Sequence, residues 1–365
     1  MKELLEDIHR WRAAGKQVAL ARVVGTDGSG PRDPGAAMAV NEDSEVIGSV
    51  SGGCVEGAVL TEGLKVLERG IPKLVTYGIA DDDAFAVGLT CGGTIHIFID
   101  DFNKETDIAI SEALATGEPA AVATVIDGPG AGAKVLVRPD GSTIGSLGDA
   151  ELDRVVTRDA IGELEAGRTG TRNYGVHGEA RREEGVKVFI ESFALPPKMV
   201  IFGAIDFTAA LARLARLLGY HVTVCDARPV FATRKRFPMA NEVVNEWPDR
   251  YLELVGKEYG PRDAVCVLTH DPKFDVPAIM AAVQTKAGYI GVMGSRRTHD
   301  KRLERLKEAG LDDDGFARLM SPIGLDLGGR TPEETAVSIC AEIIASRTGR
   351  SLPSLRDTEG PIHKG

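Results

Sequence analysis

Iron–sulfur proteins and structural zinc modules need cysteines in tight sets, and this sequence has no such set. Its five cysteines, Cys54, Cys91, Cys225, Cys266 and Cys340, are odd in number and scattered over 365 residues. That excludes a clustered metal centre, argues against a disulfide framework, and fits a reducing cytoplasm. A long apolar run is missing as well, so no membrane span is expected. Basic residues are too few for a general nucleic-acid binder: 43 Lys and Arg stand against 54 Asp and Glu, a formal net charge of -11. Phosphate neutralisation needs clustered cations instead. The first residues show no leader, because Glu3, Glu6, Asp7 and Arg10 sit among apolar neighbours and predict an amphipathic helix. What remains is a soluble globular composition, 43% hydrophobic and 27% charged, long enough for two to three domains of roughly 150 residues.

The first half repeats itself. Gly15–Val24 aligns with Gly117–Ile126 at an offset of 102 residues; Gly35, Val40, Asp43, Gly48 and Ser49 meet Gly132, Val137, Asp140, Gly145 and Ser146 at 97. Phe98, Ile99 and Phe102 meet Phe189, Ile190 and Phe193 at 91. Residues 1–105 and 106–195 thus read as two copies of one α+β unit: helix, strand, hairpin, second helix and closing strand. In copy one the strands are expected near 18–24, 36–40, 46–50 and 94–100, and a helix over 55–69 stops at Gly70.

The falling offsets locate insertions in copy one. Five residues are added within 25–34, around Arg32, and six between Ile79 and His96, around Cys91. At a third place Ser51-Gly52-Gly53-Cys54-Val55-Glu56 faces Gly148-Asp149-Ala150-Glu151-Leu152-Asp153. Scaffold positions are shared while three loops are special to one copy, and such loops are where function is placed. Gly52 and Gly53 precede a helix, where unpaired amides and the positive dipole end can meet an anion. Cys54 beside them is a candidate nucleophile or soft ligand, Arg32 a candidate phosphate partner, and Cys91 a weaker second thiol. Cys225, Cys266 and Cys340 fall in apolar patterns and read as core.

After Leu195-Pro196-Pro197, strands and helices alternate through residues 196–350, which predicts a Rossmann-like, doubly wound parallel sheet. Residues 351–365 are polar and read as a loose tail. The fingerprint of a dinucleotide loop is damaged: Gly203 stands, but Ile205 and Thr208 replace the second and third glycines. Asp226 ends the second strand, where an acid holds a ribose hydroxyl, yet NAD(P) binding is disfavoured by the lost glycines. His270 and the run Gly294-Ser295-Arg296 follow later strands, and the latter can cradle a phosphate at a helix start.

These motifs together resemble the XdhC/CoxI family. Gly30-Pro31-Arg32, Gly48–Glu56 and Cys91-Gly92-Gly93 look like its N-terminal domain. Cys225–Pro229, Thr269-His270, Tyr289–Arg296 and Gly324–Gly328 with Thr331–Glu334 look like its C-terminal Rossmann-type domain. The resemblance implies an accessory protein that transiently binds molybdenum cofactor, assists its sulfuration with a cysteine desulfurase, and inserts it into a molybdenum hydroxylase apoenzyme such as xanthine dehydrogenase. It implies a cytoplasmic homodimer that is not itself the hydroxylase, with Cys54 as a molybdenum ligand. One departure stands out: the family's Gly-Ala-Gly-His is Gly203-Ala204-Ile205-Asp206 here. Two other readings remain open on the residues, an NAD(P)-dependent oxidoreductase and a non-catalytic interaction scaffold.

Overall fold

The computed structural model describes residues 1–28, 31–78, 93–179, 185–352 and 354–357. The chain divides into two compact units, Met1–Leu195 with the segment from Ser354, and Pro196–Pro353.

In the first unit α1 (Leu5–Ala13) is followed by β1 (Val18–Asp27), β2 (Ala37–Asn41), β3 (Val46–Gly48), α2 (Glu56–Arg69), β4 (Lys73–Tyr77) and β5 (Thr94–Asp101). The same order then recurs as α3 (Glu105–Ala115), β6 (Ala120–Asp127), β7 (Lys134–Val137), β8 (Thr143–Ser146), α4 (Ala150–Ala166), β9 (Gly170–Tyr174) and β10 (Val186–Phe193). The sheets run β3-β2-β1-β5-β4 and β8-β7-β6-β10-β9, antiparallel throughout. Identical strand orders make the duplicated unit a structural fact. The edge strands β4 and β9 are absent from the sequence expectation. Each is five residues long; β4 has no fully buried residue and β9 only Tyr174, so neither presents a continuous buried apolar face.

Alternation along the strands builds two layers. In copy one Ala19, Ala21, Val23, Ile95, Ile97 and Ile99 pack against α2 through Val59 and Val66. On the opposite face Leu20 joins Val122, Leu136, Ile8, Trp11, Ile110 and Leu114, and Val24 and Phe98 meet their counterparts Ile126 and Phe189. The inner faces of the two copies therefore bury each other. Charged groups lie there too. Arg22 is 0% exposed; its Nη1 donates to Thr124 Oγ1 at 3.1 Å. Its guanidinium lies 3.6 Å from Asp100 and 4.0 Å from Glu191. Lys134 bridges Asp100 and Asp107 at 2.5 Å each. Burial pushes the Asp107 carboxyl above its ordinary range against the pull of Lys134.

Glycine is required where the second hairpin of each copy ends. Gly48 has φ 76° and Gly145 φ 90°, and a Cβ at either would stand 2.4 Å from a carbonyl oxygen, of Ala37 or Lys134. No side chain fits there, and L-residues disfavour the conformation in any case.

The second unit runs β11 (Lys198–Phe202), α5 (Asp206–Leu217), β12 (His221–Cys225), β13 (Glu242–Val244), α6 (Pro248–Val255), β14 (Ala264–Val267), α7 (Pro272–Ala282), β15 (Tyr289–Val292), α8 (Arg296–Glu308), α9 (Asp313–Ala317), β16 (Leu319–Met320) and α10 (Pro332–Thr348). Its parallel sheet is ordered β13-β12-β11-β14-β15-β16. This is the doubly wound, Rossmann-like sheet expected from the alternation. Met199, Ile201 and Cys266 face α5 and α10; Val200, Phe202 and Val267 face α6, α7 and α8. Two helix starts are set by side-chain caps. α7 begins at Pro272 because Asp271 caps the amide of Lys273 at 3.1 Å. α8 begins at Arg296 because Ser295 Oγ accepts from Thr298 at 3.2 Å. Burial holds Cys225 at about 12 and Cys340 at about 11 and pushes Cys266 up further, so these three are core thiols, as expected.

Candidate functional site

The loop before α2 is organised by its own acid. Glu56 Oε1 accepts from the amides of Ser51 and Gly52 at 2.9 and 3.0 Å, and Oε2 from those of Gly53 and Val55 at 2.9 and 3.2 Å. The hydroxyls of Ser49 and Ser51 add bonds of 2.7 and 2.5 Å. Ser51 Oγ also accepts from the Cys54 amide at 3.0 Å. Burial opposes ionisation of Glu56, but the bonds from Ser51, Ser49 and the backbone outweigh it and hold its pKa at about 2. The amides expected to await a ligand anion therefore already face one supplied by the chain. The loop is instead a preformed platform: Gly52 and Gly53 are exposed, with open space where each Cβ would be, and Cys54 is half-buried against the α2 core.

Copy two keeps a reduced version. Asp153 accepts from Ser146 Oγ at 2.6 Å and the Leu147 amide at 2.7 Å, while Asp149 caps α4 through Glu151 and Leu152 at 3.1 and 2.9 Å. Shared acid and serine with a divergent Gly-Gly-Cys is the sign that could have revealed Glu56 as an organiser.

Arg32 is exposed and lines a cleft of about 510 Å³ with Lys2, Glu3, Gly35, Gly48, Ser49 and Phe193 among others. Ser49 thus joins the cleft to the Glu56 platform. Cys54 does not line the cleft, and Cys91 lies outside the described residues. Among the described residues no group of three or more His, Cys, Asp or Glu side chains is placed to hold a metal ion.

In the second unit the sheet order reverses between β11 and β14, the place where such folds hold ligands. Gly203 is packed shut there: a Cβ would lie 3.0 Å from Thr269 Cγ2 and 3.1 Å from its amide. Asp226 is engaged as well. It accepts the Ala204 amide at 2.7 Å and a guanidinium fork from Arg228 at 2.9 and 2.7 Å. Burial opposes its charge, yet Arg228 and these amides hold the carboxylate below its ordinary range. The acid expected to meet a ribose serves its own loop instead. Arg236 donates to the Ala204 carbonyl at 3.1 Å and closes that loop further.

The next two strand ends are more open. His270, Ser295 and Arg296 are exposed and Gly294 half-exposed. Beneath them Arg302 donates to Asp275 Oδ2 at 2.8 Å and to the Met293 carbonyl at 2.9 Å, and Thr269 Oγ1 donates to Asp275. Sequence reasoning missed Arg302 because its partner lies 27 residues away, on a different helix.

Comparison with known proteins agrees with this architecture. The profile described as the XdhC Rossmann domain matches residues 199–343, and that of the XdhC and CoxI family matches residues 11–78 and 113–175. A probable xanthine dehydrogenase subunit of Bacillus subtilis (strain 168) is 28% identical over 337 residues, 91% of this chain and 94% of that protein. The "Molybdenum cofactor insertion chaperone PaoD" of Escherichia coli (strain K12) is 25% identical over 335 residues, 92% of this chain and 85% of PaoD. A crystal structure described as a xanthine dehydrogenase from Bacillus halodurans superposes with a TM-score of 0.66 at 23% identity, covering 98% of this chain and 97% of that one; it bears on the fold alone. With both halves matched by its profiles, the chain belongs to the XdhC and CoxI family.

Proposed function

We propose that this chain is an accessory protein that binds molybdenum cofactor as cargo and delivers it to a molybdenum hydroxylase apoenzyme such as xanthine dehydrogenase. The reading extends to assistance in sulfuration with a cysteine desulfurase, to transient binding, and to a cytoplasmic homodimer. The name of the PaoD relative supports the cargo, and the xanthine dehydrogenase name of the Bacillus subtilis relative supports the client class. The observation that carries it is the Ser49–Glu56 platform. A carboxylate held by four amides and two hydroxyls fixes a loop that offers one thiol and two bare glycines, next to a cleft with Arg32 and Lys2 on its wall. A thiolate suits a soft molybdenum–sulfur centre, and the cations suit the phosphate of a pterin. Cys54, Gly52, Gly53, Arg32 and Cys91 are assigned to this cargo, with Cys54 as molybdenum ligand. In the second unit His270, Gly294, Ser295 and Arg296 are assigned to ligand contacts, and Gly203 and Asp226 to their support.

The domain division that goes with this reading is 1–105 and 106–195 for the two copies, 196–350 for the Rossmann-like domain, and 351–365 for a tail. The oxidoreductase alternative gains no site, because the ribose acid is occupied by Arg228. The test is retention of purified molybdenum cofactor through gel filtration, read as molybdenum and phosphorus per chain. Wild type is expected to co-elute with cofactor, and Cys54→Ala to lose it. Normal retention by Cys54→Ala would sink the thiol role; no retention by wild type would sink the cargo reading.

A further inference from the structure

We propose that the start of α8 is a phosphoryl-group site whose buried anchor is Arg302. Its guanidinium side chain is 3% exposed, and Nε and Nη1 have no hydrogen-bond partner among the described residues. Buried donors are rarely left so, because their lost hydration goes unreplaced. The unpaired side faces the strand end: the position a Cβ of Gly294 would take is 3.2 Å from Nη1 and 3.4 Å from Nη2. Glycine at 294 lets the backbone at the start of α8 lie directly against the guanidinium.

The surroundings favour an anion there. α8 has 13 residues and no acid in its first turn. Helix geometry leaves its first amides, those of Arg296 and Arg297, without intrahelical acceptors, and the positive dipole end lies at the same point. Both arginine side chains are exposed beside it. Asp275 takes only Nη2 of Arg302, and Thr269 takes the other oxygen of Asp275. This chain of contacts fixes the guanidinium plane while sparing its remaining edge. The site lies at the carboxyl end of β15, two strands along the sheet from β11 and its closed Gly203 loop. The inference rests on the assignment of Gly294, Ser295 and Arg296 to ligand contacts, and it is independent of Cys54.

The experiment titrates inorganic phosphate and pyrophosphate into the full chain by calorimetry, in wild type, Cys54→Ala, Arg302→Lys and Arg296→Ala. The Arg302 Nε–H resonance is followed in wild type by NMR. Saturable binding is expected in wild type and equally in Cys54→Ala, with the Arg302 resonance shifting at the same midpoint. Arg302→Lys keeps a charge for Asp275 but lacks the fork, and its Kd should rise roughly tenfold to a hundredfold, with a cooperative melt that shows the fold retained. Arg296→Ala should weaken binding severalfold. Pyrophosphate tighter than phosphate would point to a nucleotide diphosphate, and equal affinities to a phosphate monoester; the site stands in both cases. No binding, or binding that leaves the Arg302 resonance unmoved, would overturn it. Because phosphate is the probe, that failure is distinct from a failure to retain cofactor.

Discussion

The charge of Glu56 matters to its own loop before it matters to any ligand. Its folded pKa of about 2 lies below the ordinary 4.5, so its contribution to stability is fully present above about pH 4.5 and is lost as pH falls through about 2. Glu56→Gln should therefore destabilise the first unit by about 1–3 kcal/mol at neutral pH. Urea unfolding at several pH values checks this. The gap between wild type and variant should narrow on acidification, and a gap that stayed constant down to pH 2 would refute the assignment. Arg22 is a second sensitive residue. Arg22→Met would leave Asp100 to Lys134 alone and Glu191 to the Met1 amino group alone in the interior, a loss of up to about 3–5 kcal/mol, read as a lowered midpoint in the same urea curves.

At the scale of elements, the end of the second hairpin in each copy makes a sharp prediction. Gly48→Ala and Gly145→Ala should each cost about 2 kcal/mol or more, since a strained φ alone costs about 1–3 kcal/mol and the new Cβ meets a carbonyl as well. A thermal melt of either variant within a degree or so of wild type would contradict the geometry. Most elements were legible beforehand because their apolar residues alternate or recur. β1 and β5 showed two buried faces, and the repeat offsets marked both copies. The edge strands β4 and β9 were not, and the first turns of α8 carry no signal of their own, because Arg296-Arg297-Thr298-His299-Asp300 has no apolar stripe. The same division holds for the sites. Cys54, Gly52, Gly53 and Arg32 stood out by contrast with copy two. The pairings Glu56 with its amides, Asp226 with Arg228, and Arg302 with Asp275 depend on backbone direction and on elements brought side by side, which spacing does not record.

For the whole molecule, the two copies of the first unit share an interior. A chain of residues 1–105 alone would leave Leu20, Arg22, Phe98 and Phe102 uncovered, whereas residues 1–195 bury them. Expressed separately, 1–195 is expected to give a cooperative melt and 1–105 to be poorly soluble or unfolded, as judged by circular dichroism. A cooperative, monomeric 1–105 would show that the copies are independent domains. Residues 196–352 contain both faces of their own sheet and should likewise melt cooperatively.

The contact of Arg22 with Thr124 joins positions that are equivalent in the two copies, so the local two-fold axis passes between them. A dimer of identical chains must place the same residue on both sides of such an axis. Two arginines would then press guanidinium against guanidinium in a dry interior. Within one chain that obligation is absent: one side is arginine, the other threonine, and the partners are Asp100 and Glu191. Once the two sides of the axis can differ at the core, they can differ at the rim, and copy one has a Gly-Gly-Cys loop where copy two has Asp149-Ala150-Glu151.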